Sequence, residues 1–174
     1  MKKLFLICIV FLMITGCNAT NDIADYEVGI IERVIDGDTI ICEIDGTGQS
    51  IRMIGMNTPE IEKKHPVTGV ISKEQPFGEA AAEYTRSLLS EGTIVYLESD
   101  VGNVDRYDRL LRYVYFNESD IGNIEKSLNA QLLINGLAST MTIEPNVKYK
   151  EQLWDIEKEA QNIGLGIWNT EGSN

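Results

Sequence analysis

The chain has 174 residues, with 15 Lys and Arg against 27 Asp and Glu, a net charge of −12 and 43% hydrophobic residues. That length and composition suit one domain with a packed core and argue against wholesale disorder. The acidic balance argues against holding nucleic acid by bulk positive charge; one histidine (His65) and three cysteines nearly exclude a zinc site and leave a Ser-His-Asp triad a single candidate base.

The chain opens with Lys2 and Lys3, followed by an apolar run over 4–14. That run is too short to span a bilayer and reads as the hydrophobic part of an export signal. The following Ile14-Thr15-Gly16-Cys17 resembles a bacterial lipoprotein lipobox. The resemblance implies a signal peptide over 1–16, diacylated Cys17 as the mature N-terminus, and a membrane partner reached through a lipid anchor. The alternative is cleavage after Ala19 and free secretion. Cleavage before Cys17 removes two lysines and no acid, leaving −14. Residues 17–25 then read as a polar tether, 26–169 as the folded domain and 170–174 as a tail.

Three β-rich stretches follow, over 28–35, 39–44 and 50–56, with Asp45-Gly46 as a hairpin signal between the second and third. Cys42 sits at strand period between Ile40 and Ile44 and reads as a buried small hydrophobe. Two further strands are predicted over 93–98 and 110–116. Helical spacing appears over 77–89, from Ile124 to a stop at Gly136, and over 149–163. Five short strands and three helices without β-α alternation predict an α+β fold: a small antiparallel barrel with helices packed on it.

Three separated patches carry chemistry. Asp36-Gly37-Asp38-Thr39 places two carboxylates, both hard oxygen ligands, around a tight turn. Arg52 lies inside an apolar strand, where it must snorkel, pair or face a ligand, and Asn57, Thr58 and Glu60 follow on the loop that leaves it. Asp105-Arg106-Tyr107-Asp108-Arg109 is charged and aromatic, directly before a predicted strand.

Together with Asn135-Gly-Leu-Ala138 and Gly166-Ile-Trp168, these patches resemble the staphylococcal (micrococcal) nuclease family over about residues 28–168. The resemblance implies an OB-fold, a five-stranded barrel with three packed helices. It implies a Ca²⁺-dependent phosphodiesterase, an endonuclease acting on DNA and RNA and leaving 3′-phosphate ends. By matching residues, Arg52 and Arg109 would neutralise the phosphate, and Glu60 would orient or deprotonate the attacking water. Asp38, Asn57 and the Thr58 carbonyl would hold calcium, with Asp36 as a supporting carboxylate and Tyr107 against the nucleotide. Asn57 stands where the family has a second calcium-binding aspartate. Asp108 stands where glycine is common, and Thr142 falls in register with a nucleotide-packing tyrosine. The expected enzyme is an exported, lipid-anchored monomer.

Two rival readings use the same residues. A catalytically inactive OB-fold nucleic-acid binder would not require Arg52, Glu60 and Arg109 together, and a chain this acidic binds polyanions poorly. A calcium-binding structural module would explain the acids but leave the arginine pair without purpose.

Overall fold

Strand β1 (Tyr26–Asp36) begins with Gly29 and Ile31 inward and Val28 and Ile30 outward, the period-2 pattern of a half-buried strand. Its pairing with β2 (Thr39–Ile44) slips twice, between Ile31 and Arg33 and between Val34 and Asp36. These irregularities break the alternation, so the Asp36 carboxylate turns inward at the end of the strand. The computed structural model describes residues 26–64 and 69–169; the proposed signal segment, Cys17, the tether, His65 and the tail lie outside the described residues.

Asp45 (φ 49°) and Gly46 (φ 75°) turn β2 into β3 (Thr47–Met53), the double positive-φ geometry of a two-residue hairpin. At Gly55 (φ +81°) the chain leaves the barrel. An added Cβ there would lie 2.4 Å from Leu153 Cδ1, so the bend passes directly beneath a helix and admits no side chain. The short β4 (Gly55–Asn57) follows, then the small hairpin of β5 (Lys63–Lys64) and β6 (Ile71–Ser72). Helix α1 (Gly78–Leu88) packs Ala81, Ala82 and Thr85 inward. Strands β7 (Ile94–Glu98) and β8 (Leu110–Tyr115) complete a closed barrel in the order β1-β2-β3-β8-β7.

The C-terminal half covers one side of the barrel. Ser127 caps α2 (Leu128–Ile134), its hydroxyl accepting from the Ala130 N–H at 3.0 Å. The strand β9 (Ser139–Met141) pairs antiparallel with β4, and α3 (Lys150–Asn162) buries Leu153 and Ala160. Glu157 ties α3 to β9 by accepting from the Thr140 N–H at 2.9 Å and its hydroxyl at 2.6 Å. Ile40, Cys42, Ile51, Met53, Leu97 and Val114 fill the barrel interior. Cys42 is fully buried, and burial pushes its thiol up to about 12, so it packs as a hydrophobe.

The five-stranded barrel with three helices agrees with the expected α+β OB-fold. Three local expectations change. The barrel closes through a parallel contact, Ile51 to Met53 of β3 beside Leu110 to Arg112 of β8, so it is not wholly antiparallel. The strand expected over 50–56 is two strands, because its last residues are recruited by β9. The helix expected from Ile124 starts as a separate 3₁₀ turn, Ile124–Lys126, because Ser127 is extended and caps the helix proper.

Candidate active site

The turn between β1 and β2 supplies the first patch. Gly37 is held so close that an added Cβ would sit 2.7 Å from Thr58 Cγ2 and 2.9 Å from Ala81 Cβ. Its carbonyl accepts from the Thr85 hydroxyl of α1 at 2.8 Å. The carboxylates on either side are therefore fixed by backbone. Asp36 Oδ1 accepts the Asp38 N–H at 3.2 Å, and both residues are almost wholly buried.

Asp38 is the hub. Its Oδ1 accepts from the Thr39 hydroxyl at 3.0 Å, its Oδ2 accepts from the Thr58 N–H at 3.1 Å, and the Arg52 guanidinium pairs with it. Arg52 is 7% exposed on β3, with Thr39 of β2 on one side and Leu111 of β8 on the other. Its Nη2 donates to Asn57 Oδ1 at 2.6 Å, and Asn57 Nδ2 donates to the Thr58 carbonyl at 3.1 Å. The β4–β9 pairing orients this segment, with Asn57 opposite Ser139.

Arg109 arrives from the third patch, at the start of β8. Asp105 Oδ2 accepts from its Nε at 2.8 Å, and Oδ1 accepts its N–H at 3.0 Å. Arg109 Nη1 then lies 3.5 Å from the Thr39 hydroxyl. The loop closes through the Asp105 N–H to the Arg109 carbonyl at 3.0 Å and requires φ +66° at Asp108. That left-handed conformation explains the expectation of glycine there; aspartate is among the few other residues that adopt it. Tyr107 is 64% exposed, with the Arg106 guanidinium 4.8 Å and the Arg109 guanidinium 5.5 Å from its ring centre.

Charges from all three patches reach Arg52. Burial pulls the Arg52 guanidinium below its ordinary pKa, the Arg109 charge adds to that, and Asp36, Glu60 and Asp105 oppose it. Glu60 itself is exposed on the loop after β4. Its backbone is tied down by Gln75, whose side-chain oxygen accepts the Glu60 N–H at 3.0 Å and whose N–H donates to the Glu60 carbonyl at 2.9 Å. Arg52, Arg109 and Tyr107 line one cavity of about 450 Å³, walled by Val104, Met141 and Ile143.

The structure thus brings Asp36, Asp38, Arg52, Asn57, Thr58, Glu60 and Arg109 to one end of the barrel, with Tyr107 on the cavity wall. Thr142 is elsewhere. It lines the crease between β9 and α3 with Trp154, while its neighbours Met141 and Ile143 face the cavity. Thr142 therefore does not line the cavity that holds Arg52 and Arg109. Two contributors escaped sequence reasoning: the Thr39 hydroxyl and the Asp105 clamp. The four-residue spacing of Asp105 and Arg109 was the available signal for the second.

Among the described residues, no three His, Cys, Asp or Glu side chains gather as a metal cluster. The donor chemistry still suits a hard cation: the Asp38 carboxylate, the Asn57 amide oxygen and the Thr58 carbonyl are all oxygens, and their segments are tied together by the Thr58 N–H donating to Asp38 and Asn57 Nδ2 donating to the Thr58 carbonyl.

A cavity that sets two guanidinium groups among carboxylates is equipped to meet a phosphate ester, and likeness to known proteins makes the chain a nuclease, a hydrolase. Residues 50–170 match the family model described as "Staphylococcal nuclease homologue". The chain is 40% identical over 137 residues to a thermonuclease of Staphylococcus hyicus, covering 79% of this chain and 73% of the relative. It is 39% identical over 139 residues to a thermonuclease of Staphylococcus intermedius, covering 80% and 74%. It is 37% identical over 144 residues to Endonuclease YncB of Bacillus subtilis strain 168, covering 82% of this chain and 62% of that protein. The chain belongs to the staphylococcal nuclease homologue family.

Proposed function

We propose that the chain is a calcium-dependent endonuclease that hydrolyses DNA and RNA to products ending in 3′-phosphate. The observation that carries this reading is the convergence of Arg52 and Arg109 on one cavity, with the charge of Glu60 felt at Arg52. Phosphodiester hydrolysis spreads negative charge over the equatorial oxygens, and preorganised cations lower that barrier. Asp105 holds the Nε edge of Arg109, leaving Nη1 at the Thr39 hydroxyl to donate to a phosphate oxygen. Arg52 meets the other side of the phosphate. Glu60 accepts a proton as the water oxygen bonds to phosphorus, and the P–O5′ bond breaks with its electron pair going to O5′, which takes a proton from solvent to become the 5′-hydroxyl.

Calcium, when bound, adds positive charge beside the phosphate. Asp38, Asn57 and the Thr58 carbonyl are the residues that would hold it, with Asp36 fixing the backbone of Asp38. Tyr107 lies against the nucleotide. A DNA gel assay with calcium and with a chelator tests the reading. Clearing with calcium alone and 3′-phosphate product ends are expected. Binding without cleavage under both conditions would favour the inactive-binder reading.

The same proposal has the enzyme exported as a monomer and held at the membrane by acyl chains on Cys17, since two chains give stable attachment where one does not. Cys17→Ala is then expected to abolish co-sedimentation with membranes. Mass spectrometry of an unmodified N-terminus after Ala19 would establish secretion instead.

A further inference from the structure

We infer that Glu144 reads the base of the bound nucleotide and selects guanine. The inference rests on the nuclease reading above and specifies what its cavity recognises.

The turn over 143–146 forms the wall of the cavity that also holds Arg52 and Arg109. The Asn146 N–H donates to the Ile143 carbonyl at 3.0 Å, closing the turn with Glu144 at its tip. Asn146 is 5% exposed and spends its side chain on Gly102, a residue 44 positions away. Its Oδ1 accepts the Gly102 N–H at 2.7 Å, and its Nδ2 donates to the Gly102 carbonyl at 3.2 Å. A buried amide bonded in both directions to one backbone unit is a rigid pin. The backbone that presents Glu144 is therefore preorganised, although its side chain is exposed.

The charges on the cavity are unequally committed. Asp105 is spent on Arg109, Arg52 on Asp38 and Asn57, and Arg106 on the Tyr107 hydroxyl. Among the described residues, the Glu144 carboxylate makes no hydrogen bond or ion pair. With the guanidinium groups meeting the phosphate, Val104, Met141 and Ile143 give the apolar surface that a base face needs. Glu144 lines the same wall, where its carboxylate is within the proposal the group that meets the base edge.

A carboxylate only accepts hydrogen bonds, and its two oxygens match two adjacent donors. Guanine alone among the four bases offers such a pair, N1–H beside the N2 amino group. Adenine and cytosine set a ring acceptor beside their amino group, and thymine or uracil flanks its one N–H with two carbonyls. Each of these would place a lone pair against a carboxylate oxygen. A cavity of about 450 Å³ is within the size range that accepts a small ligand such as a purine nucleotide.

The test pairs guanine with hypoxanthine, which keeps N1–H and lacks the N2 amino group. Single-stranded oligonucleotides with one G or one inosine in a constant context are cleaved by the wild type, Glu144→Gln and Glu144→Ala. Calorimetry measures guanosine 3′-monophosphate and its inosine counterpart on the same proteins, and thermal melting checks their folding. Wild type is expected to favour guanine about tenfold in both readouts, the scale of one well-placed polar pair. Glu144→Ala should bring the ratio to near one, and Glu144→Gln, which keeps one acceptor, should fall between. Equal wild-type treatment of the two bases, or a bias that survives in Glu144→Ala, would overturn the assignment. A guanine bias in binding with no cleavage of either oligonucleotide would uphold Glu144 as the reader and defeat the nuclease reading instead.

Discussion

Asp105 grips Arg109 at both side chain and backbone, with Nε to Oδ2 at 2.8 Å and N–H to Oδ1 at 3.0 Å. Oδ1 also accepts the Tyr107 N–H at 2.9 Å, so one carboxylate organises the whole loop. Burial raises the Asp105 pKa, but the Arg109 side-chain and backbone hydrogen bonds outweigh it and leave the group below its ordinary 3.8. A carboxylate depressed in the folded state stabilises the fold above its unfolded pKa, and that contribution fades as pH falls through the folded value. The clamp therefore holds through neutral and mildly acidic pH and is lost as pH falls through the depressed Asp105 value. Asp105→Asn is expected to cut kcat about tenfold or more through misplaced Arg109, on the scale of a lost positioning contact. It should also weaken the fall in stability on acidification. Steady-state kinetics and urea melts across pH 3 to 7 check both.

Arg52→Ala, Arg109→Ala and Glu60→Ala are each expected to lower hydrolysis by at least ~10², the scale of one transition-state contact. Their stabilities should differ. Arg52 is buried against Asp38 and Asn57, so its loss leaves a buried carboxylate uncompensated and lowers the melting temperature. Glu60 is exposed, and its removal should leave the melting temperature near that of the wild type. Near-normal turnover in three folded variants would break the site assignment.

Asn57 offers a candidate metal site one neutral oxygen, which is already accepting from Arg52 at 2.6 Å. Ligand charge is a main lever on calcium affinity, and weak extracellular sites work at ~10⁻⁴–10⁻³ M. Activity is expected to saturate only in or above that range, and Asn57→Asp should lower the half-saturating concentration. Calorimetry and turnover titrations decide it; equal or weaker calcium binding by the aspartate variant would remove Asn57 from the metal.

Asp108 holds φ +66° without the freedom of glycine. Asp108→Gly should relieve roughly 1 kcal/mol of backbone strain, offset in part by the greater entropy of the unfolded glycine chain. A small rise in the urea midpoint is expected, with the loop geometry around Arg109 kept.

Much of this was legible along the chain because local signals agree with the fold. Asp45-Gly46 makes a turn of the type its residues favour, and Cys42 keeps strand period into the core. The members of β9 carry no such signal. Ser139, Thr140 and Met141 form a strand because Gly55 to Asn57 lie beside them, a partnership that exists only after the chain has turned back. The parallel seam between β3 and β8 is likewise a product of closure. Arg52, Glu60 and Arg109 stand out as charged groups in short motifs. Asn146 does not, because its importance lies in Gly102, far away in sequence and invisible to any local pattern.

The departure of β4 from the barrel has a consequence for when the enzyme becomes complete during synthesis. Asn57 and Thr58 are made early, yet the strand that aligns them, Ser139–Met141, emerges from the ribosome some eighty residues later. The turn that closes the far wall of the cavity comes later still. A growing chain can thus carry both arginines and the acids without the frame that aligns them. Alignment of the site therefore waits for Ser139–Met141 to be made, long after the two loops that carry Asp38 and Asn57.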